Sequence, residues 1–215
     1  MVAVAVLLTI VGLLLLDLVV QYFESRAARP PVAPGPLPDL PPGLFFHRNH
    51  CWAQLEAGGA WRVGVDALVA SLVGRVDSIT VPEPGSRVRE GETLVTIQQA
   101  DKGLVIRSPV AGEVLEANRA VAGDSLIGSP YTEGWLCVIR SEDLSADTRR
   151  LAVGDDALKW QSREAGRLLS FFGSVPSSGV SAEVVSVGGV LGLGGAMQKL
   201  SGSEWRRFQR AFLDA

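Results

Sequence analysis

GETLVTIQQADKGLVIRSPVAGEV, residues 91–114, is the stretch on which the reading of this chain turns. Two short β-type runs, ETLVTI and LVIRS, flank Asp101-Lys102-Gly103, which is good turn material. A third run, GEVLEA, opens after the turn residues Ala111-Gly112. Upstream lie WRVGV and GRVDSITV, with further turns at Pro84-Gly85 and Glu90-Gly91. Many short strands at close spacing from Phe45 to Arg140 predict an antiparallel sandwich or flattened barrel. There is also an internal echo. Val81-Pro-Glu-Pro-Gly85-Ser-Arg-Val88 with Gly91-Glu-Thr-Leu94 is similar to Val114-Leu-Glu-Ala-Asn118-Arg-Ala-Val121 with Gly123-Asp-Ser-Leu126. Two related halves, each supplying half of one core, suit a quasi-symmetric sandwich.

Beyond Arg140 the texture turns helical. Leu144, the Leu151 region and Leu158 to Phe172 (LKWQSREAGRLLSFF) carry apolar residues every three to four positions, which predicts helix over 141–172. Gly173 to Gly179 reads as a loop, and Val184 to Val187 as a short strand. Gly188 to Gly195 (GGVLGLGG) lacks the full G-x-G-x-x-G pattern and reads as flexible or closely packed backbone rather than a phosphate cradle. Ser203 is placed to cap a last helix, EWRRFQRAFLDA. Trp205, Phe208 and Phe212 share one face of it, with Arg206, Arg207 and Arg210 largely on the others. Such a helix suits an anionic membrane, a partner surface, or packing on its own domain.

The N-terminus has a different character. Met1 to Val20 is an almost unbroken apolar run, which at ~1.5 Å per residue approaches a bilayer core of about 30 Å. Tyr22 and Phe23 follow at the position of an interfacial aromatic belt. No Lys or Arg precedes the run and no clear small-residue cleavage site follows it, so a retained single-span anchor is expected. Arg26 and Arg29, just past the span, place the main domain in the cytoplasm by the positive-inside rule. Asp17, the one ionisable residue in the span, either bonds a partner helix or reaches the headgroups. Pro30 to Pro42 (PPVAPGPLPDLPP) favours extended, semi-rigid chain and reads as a spacer, with an SH3-like groove as a second use.

A formal net charge of -3 gives no argument for nucleic acid. Two cysteines, Cys51 and Cys137, stand far apart outside any C-x-x-C spacing and read as free thiols. His47, His50 and Cys51 are metal-ligating types in one short segment but fall short of a closed four-ligand site. No serine or cysteine stands in a recognisable setting with a base, and both histidines share that one segment. A catalytic role is not expected.

His50-Cys51-Trp52, Val63-Gly64-Val65-Asp66 with Leu72-Val73-Gly74, Val81 to Gly85, Ser108 to Val114 with Asn118, and Pro130-Tyr131 with Gly134-Trp135-Leu136 follow one another in an order that resembles the glycine cleavage system H protein family. His50-Cys51-Trp52 resembles that family's H-E-W, and Val63-Gly64-Val65-Asp66 with Leu72-Val73-Gly74 its V-G-I-T…L-G-D. Val81 to Gly85 is similar to L-P-E-V-G, and Ser108 to Val114 with Asn118 to A-P-V-S-G-x-V-x-x-x-N. Pro130-Tyr131 and Gly134-Trp135-Leu136 match P-Y…G-W-L. The resemblance implies a mainly β fold, the lipoyl/biotinyl-type β-sandwich (barrel-sandwich hybrid), here with C-terminal helices and one preceding transmembrane helix. It implies a hairpin-tip lysine carrying lipoate, in the frame G-x9-K-x7-P. Gly91 and Pro109 keep that frame, Asp101 falls at the lysine position, and Lys102 lies one residue on.

The expected organisation is an anchor at 1–23, a Pro-rich linker at 24–44, the sandwich at 45–140, a helical extension at 141–173, and a Gly-rich segment with an amphipathic helix at 174–215. The expected function is a membrane-anchored H-protein-like module without a cofactor, acting as a binding or assembly subunit of a membrane-associated complex. Trp205, Phe208, Phe212 and Asp17 are its expected contact residues. The alternative is a lipoyl carrier of a glycine cleavage-type system that uses Lys102.

Overall fold

In the computed structural model, residues 40–179 and 191–214 are described. The expected anchor, Asp17, most of the linker and the strand at 184–187 lie outside these residues. Among the described residues no helix is long and apolar enough to cross a membrane.

Among the described residues ten strands form two antiparallel sheets. Leu44–Phe46 (β1), Cys51–Leu55 (β2), Ala60–Val65 (β3), Arg87–Val88 (β5), Gly112–Ala117 (β8), Trp135–Ser141 (β9) and Ala152–Val153 (β10) make the larger sheet, ordered β10-β1-β2-β3-β9-β8-β5. Ser78–Thr80 (β4), Thr93–Gln99 (β6) and Lys102–Arg107 (β7) make the smaller one, ordered β4-β6-β7. On β7 the side chains alternate cleanly: Leu104 and Ile106 are buried, Val105 and Arg107 partly exposed. They meet Val63, Val114 and Ile139 of the larger sheet in one apolar core. Within the larger sheet Gly112 marks a tight approach of β8 to β9, because a Cβ there would lie 2.0 Å from the carbonyl oxygen of Arg140.

Two short helices were not foreseen. Ala67–Val73 (α1) starts where the Asp66 carboxylate accepts from the Val69 amide, and it buries five of its residues. Gly123–Gly128 (α2) occupies the place of Gly91-Glu-Thr-Leu94 in the echo. The echo therefore holds for burial and fails for backbone. Leu94 and Leu126 are both buried, but the first lies on strand β6 and the second on a helix.

The helical extension divides. Leu144–Arg150 (α3) and Asp155–Ser174 (α4) are separated by β10, which pairs with β1 through Phe45↔Val153 and Phe46↔Ala152. Gly154, at φ 57, turns the chain from that strand into α4, a conformation a side chain with a Cβ resists. The stripe Ala157, Gln161, Glu164, Ala165, Leu168 and Phe172 then faces inward.

The last helix, Gly202–Phe208 (α5), is capped by Ser201 rather than Ser203. Ser201 and Glu204 form a reciprocal capping box, a serine followed three residues later by an acid. Gln209–Leu213 continue α5 as a wider π-type turn. Trp205, Phe208 and Phe212 are 4%, 0% and 3% exposed and belong to the domain's own core, against Phe171 and Phe172 of α4. The face expected to receive a partner is thus spent inside the chain.

Candidate functional site

The β6–β7 hairpin has a two-residue tip, Ala100-Asp101, closed by the pair Gln99↔Lys102. Ala100 takes a left-handed backbone at φ 50. The Asp77 carboxylate accepts from the Ala100 amide at 2.6 Å, and the Gln98 side-chain amide donates to the Ala100 carbonyl at 2.8 Å. Gln99 is buried and its amide nitrogen donates to the carbonyls of Val73 (2.6 Å) and Arg75 at the end of α1. The tip is therefore fixed from both sides.

Residues directly opposite in an antiparallel pair project to the same face. Lys102 shares the face of buried Gln99, while Asp101, at the turn, is exposed. The Lys102 ammonium donates to the carbonyls of Leu200 (2.8 Å) and Gln198 (3.4 Å). It also lies 5.3 Å from the ring centroid of Trp205.

The C-terminal segment 191–214 makes those contacts as part of a longer attachment. The Gly195 amide donates to the Ser71 carbonyl at 2.9 Å, and a Cβ on Gly74 would come 2.7 Å from the Gly195 Cα. The glycine-rich stretch, where described, is closely packed backbone. The Trp205 indole donates to the Gly103 carbonyl at 2.9 Å. Gln209 then acts as a one-residue strand: its side chain accepts from the Val105 amide (3.0 Å) and donates to the Val105 carbonyl (2.9 Å). Arg107 closes the row with Asp214 at 2.7 Å. The open edge of β7 is covered from the tip to its far end.

A second polar group lies inside the molecule. His50, fully buried at φ 63, has Nδ1 2.8 Å from Asp66 and Nε2 3.6 Å from Glu164. Burial works against its charge, but the Asp66 and Glu164 carboxylates outweigh it and raise the imidazole to about 9. Glu164 is also gripped by Arg167, and its carboxyl is lowered: burial opposes this, and the nearby His50 imidazolium and the Arg167 hydrogen bonds prevail. The ring of Trp160 covers His50 with centroids 5.2 Å apart. This is a charged staple between the start of α1 and the middle of α4. His50 and Asp66 are wholly shielded from solvent, and Glu164 nearly so.

His47, His50 and Cys51 do not converge. His47 accepts from the Asn49 amide and faces Glu90 at 3.6 Å, and burial, first among several influences, lowers its pKa. Cys51 donates to the Arg107 carbonyl at 3.3 Å, and burial pushes its thiol up. Among the described residues no three His, Cys, Asp or Glu side chains form a group that could hold a metal ion. Asp66, Gln99, Glu164 and Gln209 were not singled out from sequence. Only Asp66 had a local signal, as an acid directly before the apolar run ALVASLV.

The glycine cleavage H-protein family profile matches residues 44–164. The match ends within α4, so the segment that holds Lys102 lies beyond it. The glycine cleavage system H protein of Methylococcus capsulatus is 32% identical over 108 residues, 49% of this chain and 84% of that protein. That of Rubrobacter xylanophilus is 36% identical over 104 residues, 47% of this chain and 82% of that one. A crystal structure of the H protein from Mycobacterium marinum aligns at 22% identity and a TM-score of 0.47, covering 58% of this chain and 98% of that one.

Proposed function

The chain belongs to the glycine cleavage H-protein family, and on that footing we propose that it is a membrane-anchored member which does not carry lipoate and serves as a binding or assembly subunit. The anchor is the apolar run Met1 to Val20, and the domain stands on the cytoplasmic side of the cell membrane. Partners are proteins of a membrane-associated complex. The relatives are named for the glycine cleavage system, which makes its other proteins the first candidates.

One observation carries the loss of carriage: the Lys102 amine is already held by the carbonyls of Leu200 and Gln198 and packed on Trp205. A carrier lysine has to be offered free at the tip, to a ligase and then to successive enzymes. In the family frame that place falls to Asp101, whose carboxylate cannot form the amide to lipoate. Lys102 faces the other way, in keeping with the side-chain alternation of a strand.

The test is expression beside an active lipoate ligase, comparing the wild-type chain with Asp101→Lys by peptide mass. The reading expects no lipoyl adduct on the wild type and one on the variant. An adduct on wild-type Lys102 would instead establish the second reading, a tethered lipoyl carrier, which family membership favours.

A further inference from the structure

The outer face of the C-terminal helix is strongly basic in a chain whose net charge is negative. Arg206, Arg207 and Arg210 of α5 and its continuation are all exposed, as are Arg163 and Arg167 of α4. The two helices are in contact: Arg167 donates to the Ala211 carbonyl at 2.9 Å and stacks over Phe212, while Arg207 stacks over Phe171. Arg167 and Arg207 therefore lie at the seam between the helices, and Arg206 and Arg210 stand one turn apart on the outer side of α5.

The carboxylates nearest this seam are already engaged. Glu204 is taken by Ser201 and Ser177, Asp214 by Arg107 and Gln209, and Glu164 by His50 and Arg167. Asp156, at the start of α4, faces Lys159 at 3.9 Å. Among the described residues Arg163, Arg206, Arg207 and Arg210 form no ion pair. Because α5 turns its aromatic residues inward, its outer face has no apolar wedge to insert, and its three exposed arginines outnumber the Glu204 and Asp214 carboxylates beside them.

We infer that this arginine face docks the domain flat on an anionic lipid surface. The inference rests on the membrane-anchored reading above, which supplies the occupant: a surface within reach of the domain at all times. The covalent limit is generous, since the chain between residue 24 and the sandwich can extend to roughly 70 Å. Arginine near an anionic bilayer strengthens attachment by about 5-fold each, and the attraction decays within a Debye length.

The test uses the full chain in vesicles of neutral phosphatidylcholine, with and without an anionic phospholipid. Ser203→Cys takes a dye on the exposed side of α5, because Cys51 and Cys137 are buried. Energy transfer from the dye to headgroup-labelled lipid reports docking, and flotation reports anchoring. Docking predicts flotation with both lipids and stronger transfer on the anionic ones, reduced by added salt. Arg206→Gln with Arg210→Gln weakens docking about 30-fold, and an unchanged thermal midpoint shows the fold is intact. Failure to float with neutral vesicles would remove the anchor on which the inference stands. Flotation with equal transfer on the two lipids, or transfer that the arginine variant leaves unchanged, would overturn the docking face alone. Transfer seen only on native membranes would assign the face to a protein partner and overturn it too.

Discussion

Raising the pH should loosen this protein, and chiefly through one residue. His50 is held at about 9 in the fold against 6.5 in an unfolded chain. A raised pKa stabilises the fold fully below the unfolded value, and that stabilisation is lost as pH climbs through the folded one. The separation corresponds to about 3 kcal/mol at most, of which about 2 kcal/mol should disappear between about pH 7 and about pH 9.5. His47, Glu164 and Tyr131 add little in that window, but Cys51 and Cys137, whose thiols burial pushes up in the fold, also lose stability there once an unfolded thiol begins to ionise near 9, by about 1 kcal/mol each at about pH 9.5. The assay is urea unfolding of the full chain in a mild non-ionic detergent, followed by tryptophan fluorescence across the window. His50→Asn is the comparison, since asparagine tolerates the left-handed backbone that His50 adopts. It should be less stable near pH 7 by about 3 kcal/mol or more, because Asp66 and Glu164 lose their buried cation. Its stability should then fall less steeply than that of the wild type up to about pH 9.5, through the two buried thiols alone. A wild-type stability that is flat or rising over that range would refute the charged staple, as would a variant that keeps the wild-type slope.

Two further substitutions test the frame of the hairpin. Gly112→Ala drives a methyl into the Arg140 carbonyl and should cost about 3 kcal/mol or more, read as a lowered urea midpoint; an unchanged midpoint would contradict the close approach of β8 and β9. Gln209→Ala removes both bonds to the Val105 backbone and should cost about 1–2 kcal/mol. Its local signature is faster hydrogen exchange at the Val105 amide, and unchanged protection there would show that the strand edge is covered by something other than Gln209.

The sandwich was legible because its evidence is local. Alternating apolar runs and turn residues such as Gly85 and Gly91, both with positive φ, mark strands and corners within a few residues. What could not be read depends on distant pairings. Ala152-Val153 is too short to show a period and becomes a strand only because β1 offers an edge beside it. The aromatic side of α5 looked like a partner surface because nothing in EWRRFQRAFLDA says that Phe171 and Phe172 lie against it. The same holds for the site. The shift from Asp101 to Lys102 was visible in the hairpin stretch, but what receives the Lys102 amine lies 96 to 98 residues further on. His50 drew notice as part of a short motif, while Asp66 and Glu164, which give it its charge, lie on separate helical elements.

The central claim is that this H-protein fold keeps its hairpin but not a free carrier amine. Intact and peptide mass of the protein taken from its native cells, where other carriers are lipoylated, tests it most directly. The account predicts an unmodified peptide containing Asp101 and Lys102. A stoichiometric lipoyl group on Lys102 would contradict it and make the chain a tethered carrier.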